Sequence, residues 1–413
     1  MKTVKFAYMD EFQCIGSECG DSCCRHWAIT LSKKEYSDYL DMECSPELKA
    51  IINSAFFPVR SGNELCYAAV KLGENGNCPF LDTDDLCMLQ KELGEKALCH
   101  TCRIFPRLSY RVGEEAYIGL CSLNCSRVAE LLIGHPEGLK IKESEYGGGS
   151  EYINSGIFSG ESTPSSWAGL PFYRSIRKTQ LSILQNRSFT LAERMLILGY
   201  YSMKADKYVK RAPENLTALA DIMSDSELCK TIADSLKPSQ SEESAADKTV
   251  AIISKMYDRS IQINNISRFA CEQLEIVAER IGLQKKEVAL EGGKKGTAWG
   301  YSREEYFKQL YRYRELEETR SYIIENVLVN TVFSQALHKG LWVNFFSLAV
   351  FYSCLKICVP SFLEEGYTDR ELALAISRTS KLAINTGLIQ NGTLLDFLDN
   401  WSYDLPHAAF LIG

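Results

Sequence analysis

The sequence predicts a mainly α protein in two parts: an irregular, cysteine-rich N-terminal domain and a helical bundle after it. Three observations predict this. Twelve of the sixteen cysteines lie at or before Cys125. A Gly- and Ser-rich stretch from Tyr146 to Gly169, YGGGSEYINSGIFSGESTPSSWAG, then interrupts the apolar periodicity. Beyond it, apolar residues recur three and four apart with charges between them, the pattern of amphipathic helices. The expected organisation is a cysteine-rich domain over 1–145, a linker or long loop over 146–170 and a helical domain over 171–413.

The length of 413 residues gives room for two or three ordinary domains, and 46% hydrophobic content argues against chain-wide disorder. A net charge of −7, from 53 acidic and 46 basic residues, gives no electrostatic footprint of a nucleic-acid binder. Acidic patches would instead suit lysine-bearing partners. The start, MKTVKFAYMDEFQC, has no apolar core of signal-peptide length, so the reducing cytoplasm is the expected compartment. Residues Leu341 to Pro360, LWVNFFSLAVFYSCLKICVP, approach the length of a membrane span. Asn344 and Lys356 interrupt them and few basic residues flank them, so a buried core helix is expected and no membrane contact.

In the first part, Asp85 to Leu98 and Arg127 to Ile133 read as helical and Tyr117 to Leu120 as strand. The rest reads as short elements joined by irregular loops, which need staples. In the second part, Phe189 to Tyr208 and Glu304 to Phe333 carry the helical spacing. Loops are expected at SLKPSQSEESAADK from Ser235 and at GLQKKEVALEGGKKGTAWGYS from Gly282.

The cysteines carry the chemistry. CIGSECGDSCC supplies Cys14, Cys19, Cys23 and Cys24; CPFLDTDDLC supplies Cys78 and Cys87; LCHTCRIFPR supplies Cys99 and Cys102; CSLNC supplies Cys121 and Cys125. Thiolates are soft ligands that select zinc, copper(I) or iron–sulfur clusters, and disulfides are uncommon inside cells, so metal binding is the stronger reading. Zinc sites expect paired CxxC knuckles or Cys/His sets, whereas here only Cys99 and Cys102 form a CxxC. His26 and His100 stand among the thiols and are able to serve zinc. An all-thiolate iron–sulfur site leads, with zinc as the alternative metal. Cys121 and Cys125 supply the start of a CxxxCxxC radical-chemistry signature, but its third cysteine is missing. Cys354 and Cys358, four apart in apolar surroundings, read as core packing.

FQCIGSECGDSCCRHWAI, CPFLDTDDLCMLQKELGEKALCHTCRIFPR, SLNCSRVAELLI and, from Arg320 to Gln335, RSYIIENVLVNTVFSQ together resemble the flagellin lysine-N-methylase (FliB-type) family, itself related to small cysteine-rich metal-chelating proteins. The resemblance implies methyl transfer from S-adenosylmethionine to the side-chain amine of a protein lysine, in a protein that carries a [4Fe-4S] cluster. The partner it implies is a protein with surface lysines, flagellin or another. The family pattern falls on Cys14, Cys19, Cys23, Cys24, Cys78, Cys87, Cys102 and Cys125; Cys44, Cys66, Cys99 and Cys121 stand outside it. Those eight thiols exceed the four that one cubane needs, so either a second metal is bound or some thiols do another job.

Methyl transfer to lysine needs a neutral amine, while free lysine has a pKa of ~10.4, so an apolar pocket or a nearby base must favour deprotonation. Aromatic faces suit both a methylated ammonium and a sulfonium. EEYFKQLYRYRELEE from Glu304 offers Tyr306 and Tyr311 as pocket wall, with Glu325 as the acidic candidate; the same stripe also suits bundle core. Asn326 and Asn330 interrupt an apolar helix face beside Glu325 and either bind donor or cap a neighbouring element. Arg103 and Arg107, next to Cys102, balance an anionic cluster, hold the donor's carboxylate or simply pair on the surface. GGGS at Gly147 and EGGKKG at Glu291 lack the strand–turn–helix context of a nucleotide loop, so donor binding is expected outside a doubly wound fold. A metal-stapled protein-binding module and a cluster-based redox protein are the alternatives.

Overall fold

Helix builds most of the chain, and its starts follow cap chemistry. The computed structural model describes residues 2–25, 29–73, 76–119, 122–145, 163–237, 241–262, 267–289, 295–386 and 404–413. Three helices open on complete capping boxes: α1 (Lys33–Asp41) on Ser32 and Glu35, α7 (Leu191–Arg211) on Thr190 and Glu193, and α15 (Asp369–Asn385) on Thr368 and Glu371. In each, the hydroxyl accepts from the third N–H and the Glu returns the bond, which satisfies two otherwise orphaned donors.

The helical body comprises α6 (Tyr173–Leu184), α7, α8 (Asn215–Ile222), α9 (Ser226–Leu236), α10 (Glu242–Gln262), α11 (Ser267–Arg280), α12 (Arg303–Arg320), α13 (Tyr322–Ser334), α14 (Leu341–Ser361), α15 and α16 (Leu405–Ile412). The apolar run from Glu304 to Phe333 is thus two helices that meet at Ser321. At the centre, α14 packs against α7, α12, α15 and α16. Of its most apolar 18-residue window, 89% is buried inside the protein, as a core helix requires. Cys354 and Cys358 are fully enclosed in it.

The stretch from Gly282, expected as a loop, instead forms a hairpin of β8 (Gln284–Ala289) and β9 (Lys295–Gly300). Cross-element contacts decide this. Trp299 donates from Nε1 to Asp258 Oδ2 of α10 at 3.0 Å, stacks edge-on against Tyr257 and lies 4.8 Å beneath the Lys285 ammonium. The loop from Ser235 is shorter than expected, because α9 runs to Leu236 and α10 begins at Glu242.

The N-terminal part is more regular than its sequence suggested. Strands β1 (Lys2–Phe6), β5 (Leu108–Val112), β6 (Glu115–Gly119) and β7 (Ile141–Glu145) form a sheet in the order β5-β6-β1-β7, in which β1 runs parallel to β6. Strands β2 (Thr30–Leu31), β3 (Phe56–Asn63) and β4 (Cys66–Val70) form a second, in the order β2-β4-β3. Beside it stand α1, α2 (Pro46–Ser54), α3 (Met88–Leu93) and α4 (His100–Ile104), while α5 (Ser126–Ile133) lies against α13 and α15. The expected helix from Asp85 to Leu98 shrinks to α3, because Gly94 takes a positive φ of 80° and ends it.

Two apolar cores result. The larger joins the helical body to β1, β5, β6 and α5; the smaller gathers Ile29, Leu31, Tyr39, Leu48, Ile52, Val70, Phe80 and Leu89 together with Cys78 and Cys99. Most of the expected linker, residues 146–162, lies outside the described residues, as do the GGGS stretch and residues 291–294 of EGGKKG.

Candidate functional site: a thiol-lined cavity

Beside the small core, a cavity of about 490 Å³ opens, lined by residues between Phe12 and Cys125. Nine cysteines line it: Cys14, Cys19, Cys23, Cys24, Cys78, Cys87, Cys99, Cys102 and Cys125. All fifteen described cysteines are free thiols. Phe12, Tyr39, Phe56, Phe80 and Phe105 supply apolar wall, and Arg103, Arg107, Asp21, Asp85 and Glu95 supply charge.

Backbone pairing brings the distant motifs together. The Cys24 carbonyl accepts from the Cys78 N–H at 2.8 Å, beside a bridge between Arg25 and Asn77. Asp82 Oδ1 accepts from the N–H groups of Asp84 and Leu86, both at 2.9 Å, turning the chain so that Leu81 bridges Cys87 and returns it towards Cys78. On the opposite wall, the Cys19 thiol lies 3.3 Å from the Ser126 hydroxyl at the start of α5. Asp21 is held by Lys381 of α15 at 2.5 Å.

Three thiols sit at the residue immediately before a helix: Cys87 before α3, Cys99 before α4 and Cys125 before α5. Nearby first-turn N–H groups, those of Leu89 and Gln90 for Cys87, Thr101 and Cys102 for Cys99, and Arg127 and Val128 for Cys125, pull the thiol pKa values downward, although none of the three makes a helix-capping hydrogen bond. This arrangement favours anionic sulfur. Crowding and burial oppose it. The neighbouring Cys23 thiol, aided by desolvation, pushes Cys24 up to about 12. Burial raises Cys78 to about 11 and Cys125 to about 12. Hydrogen bonding to Cys24 raises Cys87, and within the Cys99–Cys102 pair the bond from Cys102 favours the thiolate at Cys99 while raising Cys102. The thiols therefore want a positive charge that their own surroundings withhold, and metal binding would provide it while releasing protons.

The donor set fits a thiolate-seeking metal or cluster: soft sulfurs share one cavity, first-turn N–H groups lie near three of them, and two arginines stand on the lining. Arg107 also lies 4.9 Å over the Phe12 ring. Among the described residues no three Cys, His, Asp or Glu side chains already converge on one coordination point, so ligation calls for changes of thiol rotamer.

The described sheets contain one parallel pair, β1 with β6, and no doubly wound nucleotide-binding unit. Residues 177–410, from α6 into α16, match the family model of the FliB lysine N-methylase C-terminal domain. The chain belongs to the FliB family. The chain is 36% identical over 140 residues to the flagellar biosynthetic protein FliU of Salmonella muenchen, which covers 34% of this chain and 81% of that protein. It is 36% identical over 138 residues to the lysine-N-methylases of Salmonella typhimurium and Salmonella choleraesuis, covering 33% of this chain and 34% of each of theirs. The match thus spans about a third of those two methylases. No solved structure matches this FliB-family chain.

The structure brings together all eight cysteines of the family pattern and adds Cys99. Cys44 and Cys66 do not line the cavity, and Cys121 lies outside the described residues. Arg103 and Arg107 line it as well. Tyr306, Tyr311, Glu325, Asn326 and Asn330 do not. Tyr306 is buried in the bundle core against Tyr301 and Phe307, and Tyr311 is 60% exposed beside Arg314. Glu325 is enclosed and paired, with Arg187 Nη2 at 2.9 Å and Arg194 Nη1 at 2.6 Å. Asn326 donates to the carbonyls of Leu132 and His135 at 2.9 and 2.8 Å, and Asn330 accepts from the Tyr8 hydroxyl at 2.6 Å. Glu325, Asn326 and Asn330 interrupt an apolar helix where they fasten α13 to Tyr8 just beyond β1, to α5 and the turn after it, and to α7, so the residues nominated as catalytic or donor-binding stand apart from the thiol cavity.

Cys99 and Asp21 line the cavity although neither was a site candidate from the sequence. Cys99 carried a signal in its CxxC spacing with Cys102. Asp21 carried none, since only the fold brings it to Lys381.

Proposed function

We propose that this chain is a protein-lysine N-methyltransferase that takes its methyl group from S-adenosylmethionine, carries a [4Fe-4S] cluster on the cavity thiols, and acts in the cytoplasm on a protein with surface lysines, flagellin or another. The observation that carries the cluster is the convergence of nine thiols from four separate motifs on one cavity. Family membership carries the methyl transfer. In that transfer the lysine nitrogen's lone pair forms the N–C bond as the donor's C–S bond breaks, and the donor leaves as a thioether. The amine must already have shed a proton. The rings of Phe12, Phe56, Phe80 and Phe105 would desolvate an amine entering the cavity and so favour its neutral form. Arg103 and Arg107 would balance thiolate charge or hold the donor's carboxylate. A bound cluster supplies thiolate-ligated iron that cross-links the short elements around the cavity.

A second reading, a structural metal staple, is favoured by the small core itself. That core has eleven buried residues, two of them cysteines, too few to hold three short strands and four short helices by apolar burial alone. Zinc would serve such a staple equally well.

Anaerobic purification, followed by measurement of iron, acid-labile sulfide, zinc and the visible spectrum, separates these. About four iron and four sulfide per chain support the cluster. Zinc without sulfide supports the staple. Donor-dependent mass shifts of one methyl unit on a lysine test the transferase; their absence in every metal state overturns it.

A further inference from the structure

A carboxylate and an indole clasp the Lys285 ammonium where β8 and β9 meet α10. The ammonium lies 4.8 Å from the centre of the Trp299 ring and 2.7 Å from Asp258 Oδ1. The second oxygen of that carboxylate accepts from Trp299 Nε1 at 3.0 Å, so Asp258 both fixes the indole and balances the cation beside it. Tyr257, the residue before Asp258, meets the indole edge-on with ring centres 5.2 Å apart.

The indole is placed without help from the Lys285 ammonium. Trp299 stands directly opposite Lys285 in the β8–β9 register, and Asp258 and Tyr257 hold its ring from α10. Lys285 is therefore able to leave without undoing the clasp. Lys381 meets the same two kinds of group, Asp21 and Phe269, but with side chains 9% and 11% exposed that pair is closed within the fold. Lys285 and Asp258 are 46% and 41% exposed, so their clasp is reachable from solvent.

We propose that Trp299, Asp258 and Tyr257 form a recognition site for a methylated lysine side chain, with Lys285 as its resting occupant. The face of an indole attracts an ammonium through the ring quadrupole, and Asp258 adds the opposite charge. Methylation spreads the cation's charge over apolar carbon and weakens its hydration, so a methylated ammonium loses less in leaving water for the ring than the primary ammonium of Lys285 does. Displacing Lys285 costs little, because an exposed ion pair is weak. None of these residues lines the thiol cavity, so the site holds a substrate by a lysine other than the one reacting. The site stands on its own geometry; only the source of its ligand, the product of the proposed transfer, rests on that reading.

Trimethyllysine is the probe, titrated against the full chain without methyl donor and followed by ligand-observed NMR. Norleucine, which keeps an alkyl chain without the side-chain charge, is the control. Wild type should bind trimethyllysine and not norleucine. Lys285→Ala should bind it roughly tenfold more tightly, because no resting occupant competes. Asp258→Asn keeps an oxygen for Trp299 Nε1 but removes the charge, and in the Lys285→Ala background it should weaken binding severalfold. Trp299→Leu in that background should abolish binding, and Trp299→Phe, which restores a ring face, should recover part of it. Absence of binding in both wild type and Lys285→Ala overturns the site, as does binding in Lys285→Ala that survives Trp299→Leu. Equal affinity in wild type and Lys285→Ala overturns Lys285 as occupant. A chain that binds trimethyllysine yet methylates no lysine overturns the transferase and leaves this site standing.

Discussion

The Lys381 ammonium and the Asp21 carboxylate lie 2.5 Å apart with side chains only 9% and 11% exposed, joining the last long helix to the loop between Cys19 and Cys23. The same ammonium lies 5.5 Å over the Phe269 ring. Removing one member of such a pair strands the other charge in a medium that solvates it poorly. Lys381→Met should therefore cost about 3–5 kcal/mol in unfolding free energy, read by urea denaturation. Lys381→Met combined with Asp21→Asn should cost less than the single change, because no charge is left unpaired. A single-variant loss below about 1 kcal/mol would mean that Asp21 relaxes into water.

Glu325 offers an internal comparison, since it holds two arginines of unequal burial. The Arg194 side chain is 3% exposed and also donates to the Leu184 carbonyl at 2.6 Å, whereas that of Arg187 is 43% exposed. Arg194→Met should destabilise by about 3–5 kcal/mol and Arg187→Met by about 1 kcal/mol or less. Equal costs would show that the exposed arginine matters to the fold as much as the buried one. Glu325→Gln should be damaging in either case, because it strands Arg194.

Helix periodicity was legible in the sequence because it is local. Phe189 to Tyr208 announced α7, and the apolar run from Leu341 announced a core helix whose two polar interruptions, Asn344 and Lys356, bond to backbone carbonyls of Ala336 and of Ile412 and Gly413. The hairpin of β8 and β9 was not legible, because its decisive contact is Trp299 with Asp258, 41 residues away. Cysteine spacing revealed the thiol cavity. Glu325, Asn326 and Asn330 looked functional for the reason that they are informative: polar groups on an apolar face need partners, and here those partners are structural.

Lys356 predicts a pH dependence. It is enclosed within α14, donates to the carbonyls of Ile412 and Gly413 at 3.0 and 2.8 Å, and burial lowers its pKa from 10.5 to about 8. The folded state thus binds this proton more weakly than the unfolded chain does. Its penalty is fully present below pH about 8 and is relieved as pH rises towards the unfolded value. The whole shift corresponds to about 3 kcal/mol. The buried thiols, with raised values, act with the opposite sign in alkaline solution, so wild type alone would mix the two. The quantity to measure is the difference in unfolding free energy between wild type and Lys356→Met, from pH 7 to 10. Wild type should gain relative to the variant by about 1–3 kcal/mol over that range. A flat difference would show that Lys356 stays charged through its carbonyl contacts.

Cys99 tests whether geometry outranks motif. The family pattern leaves it out, yet it is buried on the cavity wall, and the neighbouring Cys102 thiol and the first N–H groups of α4 favour its thiolate. Cys44 is outside the pattern too, but its thiol reaches only the Met42 carbonyl at 3.9 Å and is absent from the cavity wall. Cys99→Ser keeps nearly the same volume while replacing a soft donor with a hard one. It should lower metal retention roughly tenfold or more and depress the melting temperature, because metal binding energy is also folding energy for the small core. Cys44→Ser should leave metal content unchanged. Cys99→Ala separates ligation from packing: it removes the donor and leaves most of the apolar contact, so a variant that keeps its metal but melts early would assign Cys99 to the core alone.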